Sequence, residues 1–220
     1  MSINYKLNQL LNVFDRRRNS SVNKWAFIYG VPRSGTSFVF QKFLQQSKTG
    51  VSDWELSRIK DLSEYYAGQS HIGIDLRKFH SDILENIVIS GQPGGSRQYD
   101  LVLKQIHTNK GELDFLINMI EKEPEFKLFI FREPKQWFVS AQKKFGLSKE
   151  ELIVMYRESL DSYFEIGGHI LEYKNIGTDS WLRQHVGEMS DFRPGDHEAA
   201  CPNELEVAYK AFKEKLNLPE

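Results

Sequence analysis

The chain has 220 residues, with 29 Lys+Arg against 30 Asp+Glu and a formal net charge of -1. That balance excludes the basic excess of a general nucleic-acid binder, and a 40% hydrophobic fraction with 15 Phe, 9 Tyr and 4 Trp excludes a disordered chain. No apolar stretch approaches the roughly 20 residues of a membrane span, so none is expected. The single cysteine, Cys201, rules out an internal disulfide framework and a Cys-rich zinc site.

Ile3, Leu7, Leu10, Leu11 and Phe14 recur at helical spacing, followed by Arg16, Arg17 and Arg18 where a helix dipole favours cations. This N-terminal stretch lacks the pattern of a secretory signal, and a cytoplasmic location is expected. Trp25 to Tyr29 is a continuous apolar run of the kind found in buried parallel strands. Gly30-Val-Pro-Arg-Ser-Gly-Thr-Ser37 follows, and then a helical pattern through Phe38, Phe40, Phe43 and Leu44. Strand, glycine turn and helix form the first unit.

Gly50 to Trp54 and Gln98 to Lys104 read as further strands, with helices expected over 55–66 and 73–89. The glycine cluster Gly91 to Ser96 has no strand before it and reads as a flexible connection. Gly111 to Lys122 reads as helix, and Lys127 to Phe131 as a strand rich in apolar residues. Pro134 fits the first turn of a helix that Gly146 ends. Ser148 and Glu151 form a capping box before a long helical segment to about Tyr173, broken near Gly167-Gly168. Asn203 to Leu216 makes the last helix.

Asp196-His197-Glu198 reads as a solvated loop, because adjacent residues rarely converge on one ion, and no metal is expected. Strands alternating with helices, without a linker or repeat, predict one α/β domain of three layers around a mostly parallel sheet. Its expected parts are an N-terminal helix (1–24), a cofactor-binding core (25–145) and a helical C-terminal part (146–220).

Gly30 and Gly35 have the spacing of G-x-x-x-x-G-K-[ST], with Ser37 at the hydroxyl position and Thr36 where an NTPase carries lysine. A loop between strand and helix still offers backbone N–H groups and a dipole end to phosphate or sulfate. What is missing is the lysine that reaches the β- and γ-phosphates; Arg33 supplies a cation from another direction. Arg132, at a strand end, is able to grip a phosphate with two hydrogen bonds, and Ser140 lies about two turns into the following helix. Residues 24–48 hold Lys24, Arg33, Lys42 and Lys48 with no acid, and 127–149 hold Glu133 alone among Lys127, Arg132, Lys135, Lys143, Lys144 and Lys149. The overall neutrality is therefore a cancellation that leaves both segments cationic.

Val31-Pro-Arg-Ser-Gly-Thr-Ser-Phe38 resembles the P-[KR]-[ST]-G-T-[TS] loop of sulfotransferases that use 3'-phosphoadenosine 5'-phosphosulfate (PAPS). Phe129-Ile-Phe-Arg132-Glu-Pro134, continuing to Ser140, resembles the same family's strand followed by R-x-P-x5-S. The resemblance implies a P-loop NTPase-like sulfotransferase fold and transfer of a sulfuryl group from PAPS to a hydroxyl or amine, releasing adenosine 3',5'-bisphosphate. It places the 5'-phosphosulfate on Arg33, Ser34, Gly35, Thr36 and Ser37, the adenine against Phe38, and the 3'-phosphate on Arg132 and Ser140. Arg33 is also implied to assist the leaving group.

Glu55 and His107 compete for the role of base, with Asp53 or another residue as the further alternative. Glu55, after the short strand, resembles in position the glutamate of sulfotransferases that modify polysaccharides. Lys104-Gln-Ile-His107 resembles the K-T-H segment of the small-molecule enzymes, with one residue more between lysine and histidine. On a strand that insertion turns His107 to the other face unless a bulge absorbs it. Lys104 is expected to point at the phosphosulfate in either case. The acceptor is a small molecule or carbohydrate of unidentified structure. The resemblance covers about residues 25–145; beyond it, Gly177 to Arg183 is the nearest equivalent of the family's segment that closes over the nucleotide, and it departs in spacing. The rivals are a P-loop kinase-like phosphotransferase and a non-catalytic nucleotide-binding module of the same fold.

Overall fold

The structure is a computed structural model, which describes residues 24–51, 98–106, 108–120, 122–189, 191–195 and 200–219. The first strand, β1 (Trp25–Gly30), is buried at every position. Such a run suits a strand covered on both faces, and helices do lie on both. Trp25, Phe27 and Tyr29 join one apolar cluster, while Ala26 and Ile28 join the other. This is the period-two alternation of a strand at the middle of a sheet.

The helix α1 (Thr36–Gln45) follows the loop after β1, and the chain turns at once into β2 (Ser47–Val51). β3 (Tyr99–Ile106) leads to α2 (Lys110–Ile120), then to β4 (Phe126–Phe131) and α3 (Pro134–Phe145). The remaining elements are α4 (Lys149–Ile166), β5 (His169–Glu172), a 3-10 turn (Tyr173–Asn175), α5 (Ser180–Val186) and α6 (Asn203–Lys215). The sheet has five strands in the order β2-β3-β1-β4-β5, and every pairing is parallel. Gly30 allows β4 to run alongside, since a Cβ there would lie 2.1 Å from the Ile130 carbonyl oxygen.

Local chemistry shapes the ends of these elements as expected. Pro134 sits in the first turn of α3, and Gly146 closes that helix in the left-handed conformation. Ser148 Oγ accepts from the Glu151 N–H while the Glu151 carboxylate accepts from the Ser148 N–H, completing the capping box of α4.

Two expectations are corrected. α4 stops at Ile166, and the stretch read as its continuation is the strand β5, paired from His169 to Glu172 with Leu128 to Phe131. Residues 146–219 therefore supply a strand of the same sheet as well as helices. β2 also begins earlier than the expected Gly50, because pairing of Ser47 to Val51 with Tyr99 to Leu103 fixes its register. The expected helices over 3–14, 55–66 and 73–89, the glycine cluster 91–96 and the triplet 196–198 lie outside the described residues.

The course of the chain determines where a ligand fits. α1 packs through Val39, Phe40, Phe43 and Leu44 on one face of the sheet. α2 packs through Leu113 and Leu116, and α3 through Trp137 and Ala141, on the opposite face. The connection leaving β1 thus departs to one side and those leaving its neighbours β3 and β4 to the other. That reversal opens a crevice at the carboxyl ends of the strands, where open α/β sheets bind ligands.

Candidate anion site at the carboxyl ends of the strands

The loop between β1 and α1 occupies this crevice. Its geometry is left-handed at two residues, Arg33 with φ 64° and Gly35 with φ 81°. Arg33 is not a glycine, so its conformation carries backbone strain of the kind found where a loop must present its amides. Gly35 is the N-cap of α1 and gives its first turn no side-chain hydrogen bond, and that turn carries no acid. The positive end of the α1 dipole is therefore not neutralised by a carboxylate of its own first turn. A Cβ on Gly35 would meet Ile176 Cδ1 at 2.7 Å and the Tyr173 ring at 3.1 Å, so the segment after β5 lies directly against the loop.

Lys104 restores the cation that Thr36 does not provide. On β3 it follows Val102 by two residues, which turns it to the face carrying α1. Its Nζ donates to Ser37 Oγ at 2.9 Å and lies 5.9 Å from the Phe40 ring centre, and the residue is 6% exposed. A neighbouring strand thus brings the ammonium to the hydroxyl position of the loop. Pairing of β3 with β1 is continuous through Gly30 and Ile106, so no bulge interrupts the strand before residue 107. Glu55, Asp53 and His107 themselves lie outside the described residues.

Arg132 follows β4 and reaches the loop from the other side. Its Nη1 donates to the Arg33 carbonyl at 3.2 Å, and its guanidinium carbon lies 4.0 Å from the centre of the Tyr173 ring. Burial is the main influence pulling this guanidinium below its ordinary pKa; the Arg33 charge adds to the effect, while Tyr173 and Glu133 oppose it. Arg33 Nε donates to Ser140 Oγ at 3.2 Å. The two motifs, separated by about a hundred residues of chain, therefore meet through Arg33, Arg132 and Ser140.

Phe38, expected against adenine, packs on Phe192 with ring centres 5.1 Å apart, and Lys42 Nζ lies 5.4 Å from its own ring centre. Lys42 also pairs with Asp191 at 2.8 Å, tying α1 to the segment around Phe192. Phe192 touches Tyr173 edge-on, and the Gly195 N–H donates to the Tyr173 hydroxyl at 3.2 Å. Gly177 to Arg183 plays another part. Asp179 caps α5, and Trp181 stacks on His169 and meets Phe126 edge-on. His169 and Phe126 begin β5 and β4, so Trp181 lies at the amino ends of the strands, away from the loop.

Tyr173 is the site residue that motif reading missed. It belongs to no motif, and only its place one residue beyond β5, next to β4 and Arg132, marks it. Trp137 and Tyr156 also escaped notice. Their polar atoms hold the carbonyls of Pro32 and Arg132, whereas their sequence context reads simply as helix interior.

Two buried polar atoms near this junction, Ser34 Oγ and Arg132 Nε, have no hydrogen-bond partner among the described residues. Buried polar groups are normally paired, so their chemistry fits a site completed by a hydrogen-bonding ligand. A doubly anionic nucleotide matches the residues present: an amide-lined loop with Lys104 on one side and a buried guanidinium on the other. Among the described residues no cluster of His, Cys, Asp and Glu has the form of a metal site, and no helix is long and apolar enough to cross a membrane.

The five-stranded parallel sheet with a glycine loop after its central strand defines a P-loop-like α/β fold. The same fold occurs in a sulfotransferase domain of known structure. The chain is similar to the sulfotransferase domain of the olefin synthase of Synechococcus PCC 7002, at 12% identity and a TM-score of 0.52, with 93% of this chain and 98% of that one covered. It is also similar to a sulfotransferase from Alicyclobacillus acidocaldarius (13% identity, TM-score 0.47, covering 89% and 96%) and to shikimate kinase from Bacteroides thetaiotaomicron (13%, 0.38, covering 89% and 99%). At such identities the likeness is one of fold. No protein-family model and no curated protein matches the chain.

Proposed function

We propose that this protein is a sulfotransferase that uses PAPS as donor and a small-molecule or carbohydrate hydroxyl or amine as acceptor. The observation that carries the reading is the convergence of the β1–α1 loop, Lys104 and Arg132 on one crevice, where two separate anionic groups can be held. The loop amides from Ser34 to Ser37, with Lys104, bind the 5'-phosphosulfate; Arg132 and Ser140 bind the 3'-phosphate. When bound, the donor supplies an activated sulfuryl group. The residues of this chain hold it in line with the acceptor, and Arg33 and Lys104 meet the negative charge that grows on the departing phosphate. Glu55 or His107 takes the acceptor proton.

Lys104 at the Ser37 hydroxyl and Arg132 beyond the loop divide the cationic charge between two places. A kinase-type site concentrates it on one polyphosphate chain. The test is thermal stabilisation by adenosine 3',5'-bisphosphate, ADP and ATP. A ligand at a hundred times its dissociation constant adds about 2.7 kcal/mol, and the bisphosphate is expected to give the largest shift. A preference for ATP would refute the reading. Stabilisation by the bisphosphate without sulfate transfer from PAPS to any of a broad set of acceptors would favour a binding module.

A further inference from the structure

Trp137 on α3 and Tyr156 on α4 are fully buried, and each has one polar atom to satisfy. Trp137 Nε1 donates to the Pro32 carbonyl at 2.6 Å, and the Tyr156 hydroxyl donates to the Arg132 carbonyl at 2.7 Å. Their rings pack together with centres 4.7 Å apart. Phenylalanine or leucine could fill most of this volume without the cost of burying an N–H and an O–H. The polar atoms are accounted for by where they point. One carbonyl belongs to the residue before Arg33 and the other to Arg132 itself.

The contacts close a circuit. Pro32 is tied to Trp137, Trp137 packs on Tyr156, Tyr156 is tied to Arg132, and Arg132 Nη1 returns to the Arg33 carbonyl. Both aromatic residues lie on the sheet face opposite α1, so they hold the two main-chain segments from behind. Burial pushes the Tyr156 hydroxyl well above the ordinary tyrosine range, so it remains a donor at every working pH. The spacing between the loop and Arg132 is thus set by buried groups before any ligand arrives.

A nucleotide phosphorylated at both 3' and 5' positions has two anionic groups held apart by a ribose, and it rewards cations fixed at that separation. A 5'-diphosphate needs the loop alone. We propose that Trp137 and Tyr156 form a positioning pair that fixes the distance between the loop and Arg132, and so sets the preference for a 3',5'-bisphosphate over a 5'-only nucleotide. This inference rests on the proposed cofactor.

The experiment measures dissociation constants of the full chain for adenosine 3',5'-bisphosphate and for ADP by calorimetry, in the wild type, Tyr156→Phe, Trp137→Phe and Trp25→Phe. The last is the control: Trp25 is fully buried and donates its indole N–H to the Lys122 carbonyl at 3.0 Å, at the amino end of β1. Tyr156→Phe and Trp137→Phe are each expected to cut the bisphosphate-to-ADP preference at least tenfold, mainly by weakening the bisphosphate. Trp25→Phe is expected to lower the melting temperature yet leave the preference within twofold. Should Trp137→Phe not fold, Tyr156→Phe, which keeps its ring and loses one oxygen, decides alone. A wild-type preference retained in the variants, or lost equally in Trp25→Phe, overturns the positioning role and leaves the cofactor reading intact. A wild type that prefers neither ligand overturns the cofactor reading and the inference with it.

Discussion

Gly35→Ala tests how tightly the segment after β5 is seated on the loop. The substitution adds one methyl group at φ 81°, where left-handed geometry costs an L-residue about 1–2 kcal/mol. The new Cβ also falls 2.7 Å from Ile176 Cδ1 and 3.1 and 3.3 Å from two atoms of the Tyr173 ring. Ile176 is fully buried and cannot simply turn aside. Overpacking of this sort adds about 1–3 kcal/mol, so the total loss is about 2–5 kcal/mol. For a chain of this size that lowers the melting temperature by roughly 4–20 °C. Gly146→Ala separates the two contributions, because Gly146 has φ 64° and nothing within 4 Å of its hypothetical Cβ. It should lose only the backbone part, about 1–2 kcal/mol. Urea denaturation of both variants gives the difference directly. If Gly35→Ala is no more destabilising than Gly146→Ala, the crowding of Tyr173 and Ile176 against the loop is disproved.

Lys104→Met keeps most of the buried volume and removes the ammonium beside Ser37. Losing a charge-assisted hydrogen bond of about 1.5–3 kcal/mol should weaken adenosine 3',5'-bisphosphate by about 10- to 150-fold in calorimetry; unchanged affinity would remove Lys104 from the site. His169 has its pKa lowered, first by burial and then by His185, against the opposing pull of Asp179, whose Oδ1 is 3.8 Å from Nε2. The unfolded chain therefore takes up this proton first, so His169 should not alter stability above about pH 6.5 and should reduce it as pH falls toward the folded value. His169→Phe preserves an aromatic ring beside Trp181 and should flatten that part of the melting-temperature profile between pH 7.5 and 5. An identical slope in the variant would show that another group is responsible.

Much of the fold was legible because local chemistry determines it. The apolar runs of β1 and β4, Pro134 at the start of α3, Gly146 at its end and the Ser148–Glu151 box each act within a few residues of chain. β5 was not legible for the opposite reason. His169 to Glu172 is four residues long, and Ile170, Leu171 and Tyr173 continue a plausible helical stripe after Ile166. Only pairing with β4, some forty residues earlier, makes the segment a strand. β2 moved for the same non-local reason.

The site divides along the same line. Arg33, Arg132 and Ser140 were singled out by motifs that resemble those of a known family, and the fold brings these three residues together. The partners that orient them were hidden, since Tyr173, Trp137 and Tyr156 act through hydrogen bonds and ring contacts formed across elements distant in sequence. The substitution of threonine at position 36 shows what this means for function. Read along the chain, it removes the lysine of a nucleotide triphosphate site. In the folded sheet, Lys104 arrives from the adjacent strand and reaches Ser37, so the loop keeps a cation that approaches from the β3 side. Arg132 approaches from the β4 side. The charge is thus split across the central strand, and that division is what supports the proposal of a donor carrying its anions at two places rather than along a single polyphosphate chain.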